Sequence, residues 1–386
     1  MKLLSLIPSL ALVALPAVAI AEENHHHGHS HDHNHSHSDR GFYGHLHATI
    51  LMDHVYKAAE SDEEINEAYT HSHLELGYVF GNGFSVNSNV MLEGEPAGHD
   101  HGGGGGGPDG SDRFFEDTPL YVRSLTVNYD SDHFGAYAGK FDPVISFDEH
   151  TMPGIYGYQV THEYLVSEKI GLGGYAQLNA GDFGTHRLDV SSFFADTTFL
   201  SNSVLYQRGV THKSDGGVSN TEDFSSFAVS LGGSGFYSLK SDIPEGLSYR
   251  LGFARLAKGE GDEEAESRYT VSGQYRHVFT SDWSGRVLGE MVHIDHLHGE
   301  APHDQTYSTL GMELSYRAWD FGTTYTHIHN DNPTDPDEDM NGEIYQASLS
   351  YNFANGFTVG AGYKYQEEEG EKNHRIGALI GYSVSF

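Results

Sequence analysis

Apolar and polar side chains alternate along much of the chain, most regularly near its two ends. Between Arg375 and Phe386 the even-numbered positions are apolar or small, and nearly all of the odd-numbered positions are polar or glycine. A segment near the start has the same period, with one apolar face made of Phe42, Leu46, Ala48, Ile50 and Met52. Because successive side chains of a strand point to opposite faces, these segments predict β-strands with one apolar and one polar face.

Turn residues separate the alternating segments and predict how the strands are connected. Short turn-like connections occur at 81–83, 130–132, 241–244, 280–282, 318–320 and 354–356. Longer stretches rich in Gly, Asp, Glu and His lie between them, at 94–117, 141–157, 209–224, 259–266, 297–305, 330–341 and 367–373. Short and long connections that alternate in this way are typical of a closed antiparallel barrel. We therefore predict an all-β transmembrane barrel of about 16 to 18 strands over 41–386, in which a strand near 199–208 gives the higher count.

The first residues have the three parts of a secretory signal. Met1 and Lys2 precede an apolar run from Leu3 to Val18, and small residues stand before Glu22. We expect a signal peptide over 1–21 that is cleaved after Ala21. A membrane anchor is the alternative, but a spanning helix needs about 20 apolar residues, and neither this run nor any later segment reaches that length. For a membrane protein without such helices, a closed barrel is the remaining way to satisfy the backbone polar groups.

Composition excludes several classes of function. The 47 Gly, 24 Tyr and 21 Phe are typical of short strands, tight turns and aromatic girdles. The absence of Cys excludes disulfides and thiolate metal sites. A formal charge of -34 argues against nucleic acid as a partner, since its phosphates would be repelled, and favours cations near the loops. His293 and Asp295 suggest a catalytic dyad, but the sequence has neither Gly-x-Ser-x-Gly nor His-Glu-x-x-His, so we do not expect an enzyme.

Histidine is the second informative feature, with 28 residues whose positions follow the predicted topology. The polar stretch 22–40 can bury almost nothing, so we expect a disordered periplasmic tail that binds metal through His25, His26, His27, His29, His31, His33, His35 and His37. A second group lies in or beside the long connections and is predicted to contact metal: His99, His101, His293, His296, His298, His303, His327 and His329. A third group is predicted to line the pore: His45, His47, His71 and His73. His150 and His162 are placed near the outer rim.

Imidazole suggests which metal these groups would bind. Neutral imidazole suits Zn²⁺, Ni²⁺ and Cu²⁺, and two histidines spaced i, i+2 on a strand project from one face. Without a rigid set of three or four ligands, such sites should be weak and exchange rapidly, which suits transport. We therefore expect zinc, or nickel or copper, as a transported or bound ion, with no cofactor required. The alternative for any single loop histidine is a solvated polar side chain.

Charged residues on the polar faces of the predicted strands form the third feature. They are predicted to line the pore, and they comprise Arg268, Arg276, Arg286, Glu290, Glu313, Arg317, Lys364 and Arg375. They could form rings that select ions by charge. They could equally pair with one another only to satisfy a polar wall. Lys140 precedes a connection that could fold into the lumen.

Several segments resemble Gram-negative outer-membrane porins, and most closely the LbtU-type siderophore porins. They are 121–143, 193–198, 225–233 and the last strand, which ends in Phe386 like strands recognised by the barrel-assembly machinery. The resemblance implies a TonB-independent channel in the bacterial outer membrane that takes up iron chelates. It also implies contact with outer-membrane lipid and lipopolysaccharide, short turns and the tail on the periplasmic side, and a possible homotrimer.

Two classes of function follow. The first is a porin for passive uptake of metal ions or chelates, with zinc favoured by the histidines, or alternatively a siderophore or general porin. The second is a barrel that captures metal or adheres at the cell surface with little flux. Imidazole favours divalent ions such as zinc over Fe³⁺, because Fe³⁺ is hard and prefers oxygen donors.

Overall fold

The computed structural model describes residues 40–94, 96, 110–236, 246–334, 340–368 and 370–386. The predicted signal peptide, the tail histidines from His25 to His37, and His99 and His101 lie outside these residues. The predictions made for them are therefore not tested by the fold.

Nearly all of the regular structure is β-strand. In chain order the strands are β1 Gly41–Lys57, β2 Asn66–Gly81, β3 Phe84–Glu93, β4 Arg113–Phe114, β5 Pro119–Asp130, β6 Phe134–Phe141, β7 Lys169–Asn179, β8 Thr185–Ala195, β9 Val204–Leu205, β10 Ser226–Ser234, β11 Leu247–Leu256, β12 Glu266–Val278, β13 Trp283–Asp295, β14 Asp304–Tyr316, β15 Trp319–Asp331, β16 Gly342–Asn352, β17 Phe357–Glu368 and β18 Glu371–Ser385. The one α-helix in the described part of the chain, α1, spans Gly157–His162. No helix among the described residues is long and apolar enough to cross a membrane.

Sixteen of these strands close into an antiparallel barrel, which confirms the predicted fold class. Each wall strand pairs with the next wall strand in the chain, and β1 closes the cylinder against β18 over a register that runs from His45↔Ser385 to Val55↔Arg375. The two-residue strands β4 and β9 only extend the pairing of β2 and β5 at one rim. Closure leaves no free sheet edge, so every wall strand has a hydrogen-bonding partner on both sides.

The predicted strand near 199–208 is not part of the wall. Phe199–Ser201 is a 3-10 helix, and only Val204–Leu205 is extended. β8 pairs directly with β10, so the intervening segment has no place in the cylinder. The wall therefore has the lower of the two predicted counts.

Where the structure describes them, short and long connections alternate around the barrel, with some differences from the prediction. The predicted short connection 241–244 lies outside the described residues. The predicted long connection 367–373 is wrong, because β17 and β18 form a tight hairpin in which Glu368 pairs with Glu371. The connection 58–65 between β1 and β2 and the turn 180–184 between β7 and β8 were not predicted. Both chain ends of the wall lie at the short-turn end, since the backbones of Gly44 and Phe386 exchange hydrogen bonds there.

The outer surface of the barrel is apolar. Large exposed side chains follow one parity of each strand, as at Val127, Leu172 and Met291. Aromatic rings gather at the short-turn end, where centroids lie 4.4 Å apart for Trp283–Tyr316, 4.8 Å for Trp319–Tyr351 and 4.7 Å for Phe357–Tyr382. An apolar band bordered by aromatic residues is the surface that a barrel presents to lipid.

The connection from β6 to β7, residues 142–168, folds into the cylinder and is called the inner loop here. Its Pro153 carbonyl accepts a hydrogen bond from Thr324 Oγ1 on β15 at 2.9 Å, and Tyr156 Oη donates to Asp53 Oδ1 on β1 at 2.8 Å. Tyr164 donates to Glu290 on β13. A connection can touch strands so widely spaced around the wall only from inside.

Apolar packing holds one part of the inner loop against the wall. Val160 and Tyr164 are buried in a cluster with inward residues of β13 to β16, among them Val292, Ile294, Tyr307, Ile328 and Ile344. These inward side chains are apolar because the loop, rather than water, covers them. The polar inner face is thus interrupted where the inner loop packs.

Candidate functional site

Six histidines form a continuous row inside the barrel, called the histidine row here. It consists of His45 and His47 on β1, His71 and His73 on β2, and His150 and His162 on the inner loop. Ring centroids lie 5.3 Å apart for His47–His73, 5.5 Å for His73–His150 and 5.3 Å for His150–His71. At its two ends, His45–His73 and His71–His162 are each 6.4 Å apart.

The register of β1 and β2 places the strand histidines of this row. His47 is directly opposite His73, and the odd-numbered residues of both strands face inward. On the inner loop, Glu149–Thr151 form a short 3-10 helix in which Asp148 Oδ1 accepts a hydrogen bond from the His150 amide at 2.9 Å. Thr161 Oγ1 donates to the Glu149 carbonyl at 3.1 Å and ties this helix to α1. Local capping thus fixes the backbone from which Glu149 and His150 project.

His71, Glu149 and His150 bring three metal-ligating groups together, and we call them the His/Glu centre. One donor atom of each residue lies within 4.8 Å of the other two. His71 Nδ1 donates to Glu93 Oε1 at 2.7 Å, and the ring stacks on Tyr158 at a centroid distance of 4.1 Å. Its Nε2 is buried and has no hydrogen-bond partner among the described residues. The contact with Glu93 occupies Nδ1, so Nε2 is the ring nitrogen that remains for a further ligand.

Carboxylates outnumber cations around the His/Glu centre. Arg123 binds both oxygens of Glu149 at 2.9 Å, and its Nε donates to Asp142 Oδ2 at 2.7 Å. Glu93 adds a third carboxylate and accepts a hydrogen bond from Tyr121 Oη at 2.5 Å. One guanidinium among three carboxylates leaves the surroundings net negative, which favours a cation.

Glu149 and His150 have the protonation states that ligate metal at neutral pH. Burial alone would raise the pKa of Glu149, but Arg123 and the nearby histidines lower that pKa to about 2. Burial lowers the pKa of His150 to about 4. The carboxyl group is therefore ionised and the imidazole is neutral.

The structure places most of the predicted pore-lining charges on the inner parity of their strands. Arg268 pairs with Glu266 at 2.6 Å, Arg286 with Glu313 at 3.0 Å and Arg375 with Glu67 at 3.0 Å. Lys364 Nζ donates to Gln159 Oε1 of the inner loop at 2.9 Å, and Glu290 accepts from Tyr164. Arg276 lies opposite Arg286 in the β12–β13 register. These partners are on the same strand, on nearby strands or on the inner loop, which is the arrangement of a polar wall whose charges pair with one another.

Arg317 is a correction to the predicted pore lining. It lies in the turn between β14 and β15, with a positive φ of 52°, and its side chain is 64% exposed. It pairs with Asp282 of the neighbouring turn at 3.1 Å. The prediction treated Arg317 as part of β14, with its side chain on the inner face, whereas the strand ends at Tyr316.

Lys140 anchors the start of the inner loop. It is buried, and its Nζ lies 2.8 Å from Glu168 and 2.9 Å from Asp196. Glu168 is the last residue of the inner loop, so this ion pair joins the two ends of the loop. The connection after Lys140 does fold into the lumen, which was one of the possibilities raised by the sequence.

Among the described residues, the histidines predicted to bind metal outside the row do not assemble into a comparable centre. His293 faces outward and pairs with Asp295 at 2.8 Å, His296, His298 and His303 belong to the connection after β13, and His327 and His329 lie on the outward parity of β15. Within the described residues, a group of three possible ligands occurs at the His/Glu centre alone.

Sequence reasoning did not find the complete centre. It placed His71 in the lumen but gave no role to Glu93 or Glu149, and it put His150 near the rim. The available signal was an acidic and histidine-containing stretch, 148–150, in a connection suspected of folding inward. Only the folded position of that connection shows that it meets β2.

Comparison with known proteins supports the fold. No protein-family model and no curated protein matches the chain. Among solved structures it is similar to OprB of Pseudomonas putida, with 12% identity and a TM-score of 0.59 over 89% of this chain and 94% of that one. It is also similar to the outer membrane protein OpdK from Pseudomonas aeruginosa, with 9% identity and a TM-score of 0.51 over 90% and 99% of the two chains. At such identities the likeness establishes a shared barrel fold.

Proposed function

We propose that the protein is an outer-membrane porin for passive, TonB-independent uptake of metal ions or metal chelates, with zinc favoured. The observation that carries the proposal is a closed cylinder, apolar outside, whose interior contains a row of histidines. OpdK, a barrel of similar fold, is an outer membrane protein. An apolar outer band with an ionisable interior is the arrangement by which barrels pass polar solutes through lipid.

The chemistry of the interior supports a divalent cation as substrate. The chain is strongly acidic, and the His/Glu centre presents imidazole and carboxylate together. Zinc, nickel and copper bind imidazole well, whereas Fe³⁺ prefers oxygen donors. Uptake of iron chelates, or unselective permeation, is the alternative channel function.

A surface metal-capture or adhesion barrel with little flux is the second candidate. The observation that favours it is the packing of the inner loop, whose Tyr156 and Tyr164 are fully buried against the wall. This packing narrows the lumen at the level of the histidine row. Conductance therefore distinguishes the two candidates.

The proposed setting follows from the barrel. Outer-membrane lipid and lipopolysaccharide would contact the apolar band, and the barrel-assembly machinery would recognise the last strand, which ends in Phe386. The turns and the His-rich tail would lie in the periplasm. A homotrimer is the proposed oligomer, to be checked by cross-linking or native mass measurement.

Reconstitution in planar bilayers tests the channel. The purified full chain should give discrete conductance steps in KCl, and cells that lack the gene should accumulate less zinc when zinc is scarce. Absence of conductance steps would refute the proposed channel function, whereas unchanged zinc accumulation would refute the proposed preference for zinc. Deletion of His25 to His37 with zinc uptake retained would show that the tail is not needed for permeation.

A further inference from the structure

We propose that His71, Glu149 and His150 form a binding site for one imidazole-preferring divalent cation, occupied by ions in transit at the narrow level of the lumen. The role in transit depends on the proposed channel function, whereas the binding itself does not. The site differs from the tail and loop histidines that the sequence suggested. It combines one ligand from the wall with two from the inner loop.

The donor set fits a zinc-like ion. Two imidazoles and one carboxylate make a three-ligand site of the kind that leaves a fourth, open position. The donor atoms already lie within 4.8 Å of one another, so a modest contraction would bring them to the separations of a tetrahedral site. The buried Nε2 of His71, which has no hydrogen-bond partner among the described residues, supplies a nitrogen that is already desolvated.

Glu93 positions the first ligand. It accepts a hydrogen bond from His71 Nδ1 at 2.7 Å, and Tyr121 and His162 hold the carboxylate from other sides, with His162 Nδ1 3.8 Å from Glu93 Oε1. A carboxylate behind a ligating imidazole fixes its orientation and raises its basicity. The centre is thus supported by a second layer of contacts on β3 and β5.

Arg123 lowers the affinity of the site for a cation. It already binds both oxygens of Glu149. A cation at the centre would share that carboxylate with the guanidinium, which weakens its hold. Weak binding is required of a transit site because the ion must leave.

The rest of the histidine row gives the ion a path. His73 stacks on His150 at 5.5 Å, and His47 stacks on His73 at 5.3 Å, toward the short-turn end. His162 lies on the other side of His71 at 6.4 Å. The steps between neighbouring rings are short enough for stepwise exchange between imidazoles.

Zinc block of potassium current tests the site. Full-length protein in planar bilayers is titrated with ZnCl2 at constant KCl, and current is normalised to each variant's own zinc-free value. Wild type should be blocked reversibly, and the double variant His71→Gln, His150→Gln should need at least about tenfold more zinc for half block. CaCl2 should not block at the same concentrations, since calcium prefers oxygen ligands.

A matched control uses two histidines to which no metal role is assigned. The double variant His186→Gln, His277→Gln changes rings that face outward among aromatic side chains at the short-turn end. It should keep the wild-type zinc response. An equal loss in both double variants would show that the block arises from general surface binding and would overturn the site.

Crystals soaked in ZnCl2 keep the inference separate from the channel function. An anomalous peak between His71, Glu149 and His150 in wild type, absent from the site variant, supports the site even if no current is seen. No peak there, or wild-type block retained in the site variant, overturns it. Migration of unheated protein on a denaturing gel confirms that each variant forms a folded barrel.

Discussion

The interior of the barrel and its periphery use the same residue types at nearly the same distances, but in different surroundings. Arg375 lies 3.0 Å from Glu67 with its side chain 1% exposed, whereas Arg317 lies 3.1 Å from Asp282 with its side chain 64% exposed. The interior pair has lost its water, and the peripheral pair has kept it. Contact distance alone therefore says little about what a pair contributes.

Histidine shows the same contrast. His71 and His293 each contact a carboxylate, at 2.7 Å and 2.8 Å, and their side chains are 4% and 40% exposed. The second ring nitrogen of His293 bonds Thr306 Oγ1 at 2.8 Å, while that of His71 has no partner among the described residues. Only the interior histidine is prepared to accept a further ligand. A metal-ligating centre therefore depends on where the fold places the histidines and not on how many histidines the chain has.

The largest effect is expected from replacing the buried guanidinium. Arg375→Ala would leave the carboxylates of Asp53 and Glu67 buried beside each other at the seam where β1 meets β18. Breaking a buried pair from one side costs about 3–5 kcal/mol. Urea unfolding of the refolded barrel in lipid vesicles measures the loss of stability.

Arg317→Ala is the control for this change, and it should leave the unfolding midpoint close to that of wild type because its ion pair is solvated. Equal midpoints for the two variants would mean that the interior pair is as well hydrated as the turn pair. The proposed difference in hydration between interior and peripheral ion pairs would then be wrong.

A smaller effect is expected from filling a glycine on the inner face. A Cβ at Gly377 would collide with Tyr156 Oη and Asp53 Oδ1, so Gly377→Ala should disturb the seating of the inner loop. Overpacking of this kind costs about 1–3 kcal/mol. Cleavage within the loop should rise by about tenfold or more in limited chymotrypsin digestion, because cleavage follows the population of the opened loop.

Gly289 provides the matched position, since a Cβ there meets nothing within 4 Å. Gly289→Ala should be cleaved at the wild-type rate. Comparable rates in both alanine variants would indicate that the inner loop is not held by its contact with β18 and β1.

Local alternation was sufficient to predict the strands but not every connection. β1 and β18 are recognisable because their period of two is kept over most of the span that pairs. The strand predicted near 199–208 depended on the need for an even number of strands, yet β8 and β10 already pair with each other and leave no edge for a further strand. Conversely, the acidic stretch around Glu368 resembled a loop, although charged side chains at a rim are compatible with a tight hairpin.

The inner wall was predicted more fully than the His/Glu centre. Strand parity was enough to turn His71 and His73 inward. The meeting of His71 with Glu149 and His150 depends on how the inner loop folds back across the lumen. No periodicity along the chain encodes that contact, because it joins residues far apart in sequence through buried side chains.

The smallest of the expected effects concerns a single hydroxyl. Tyr164 donates to Glu290 in the buried cluster, and Tyr325 donates to Glu343 at 3.1 Å on the exposed side of the barrel. Tyr164→Phe removes one of the donors to Glu290 while Ser272 remains, so a loss of about 1 kcal/mol is expected in urea unfolding. Tyr325→Phe should be indistinguishable from wild type, because Glu343 is the second residue of β16 and lies at the rim, where water can replace the lost donor. If the two phenylalanine variants unfolded alike, the buried carboxylate would have found water too, and the inner loop would exclude water from this cluster less completely than its packing indicates.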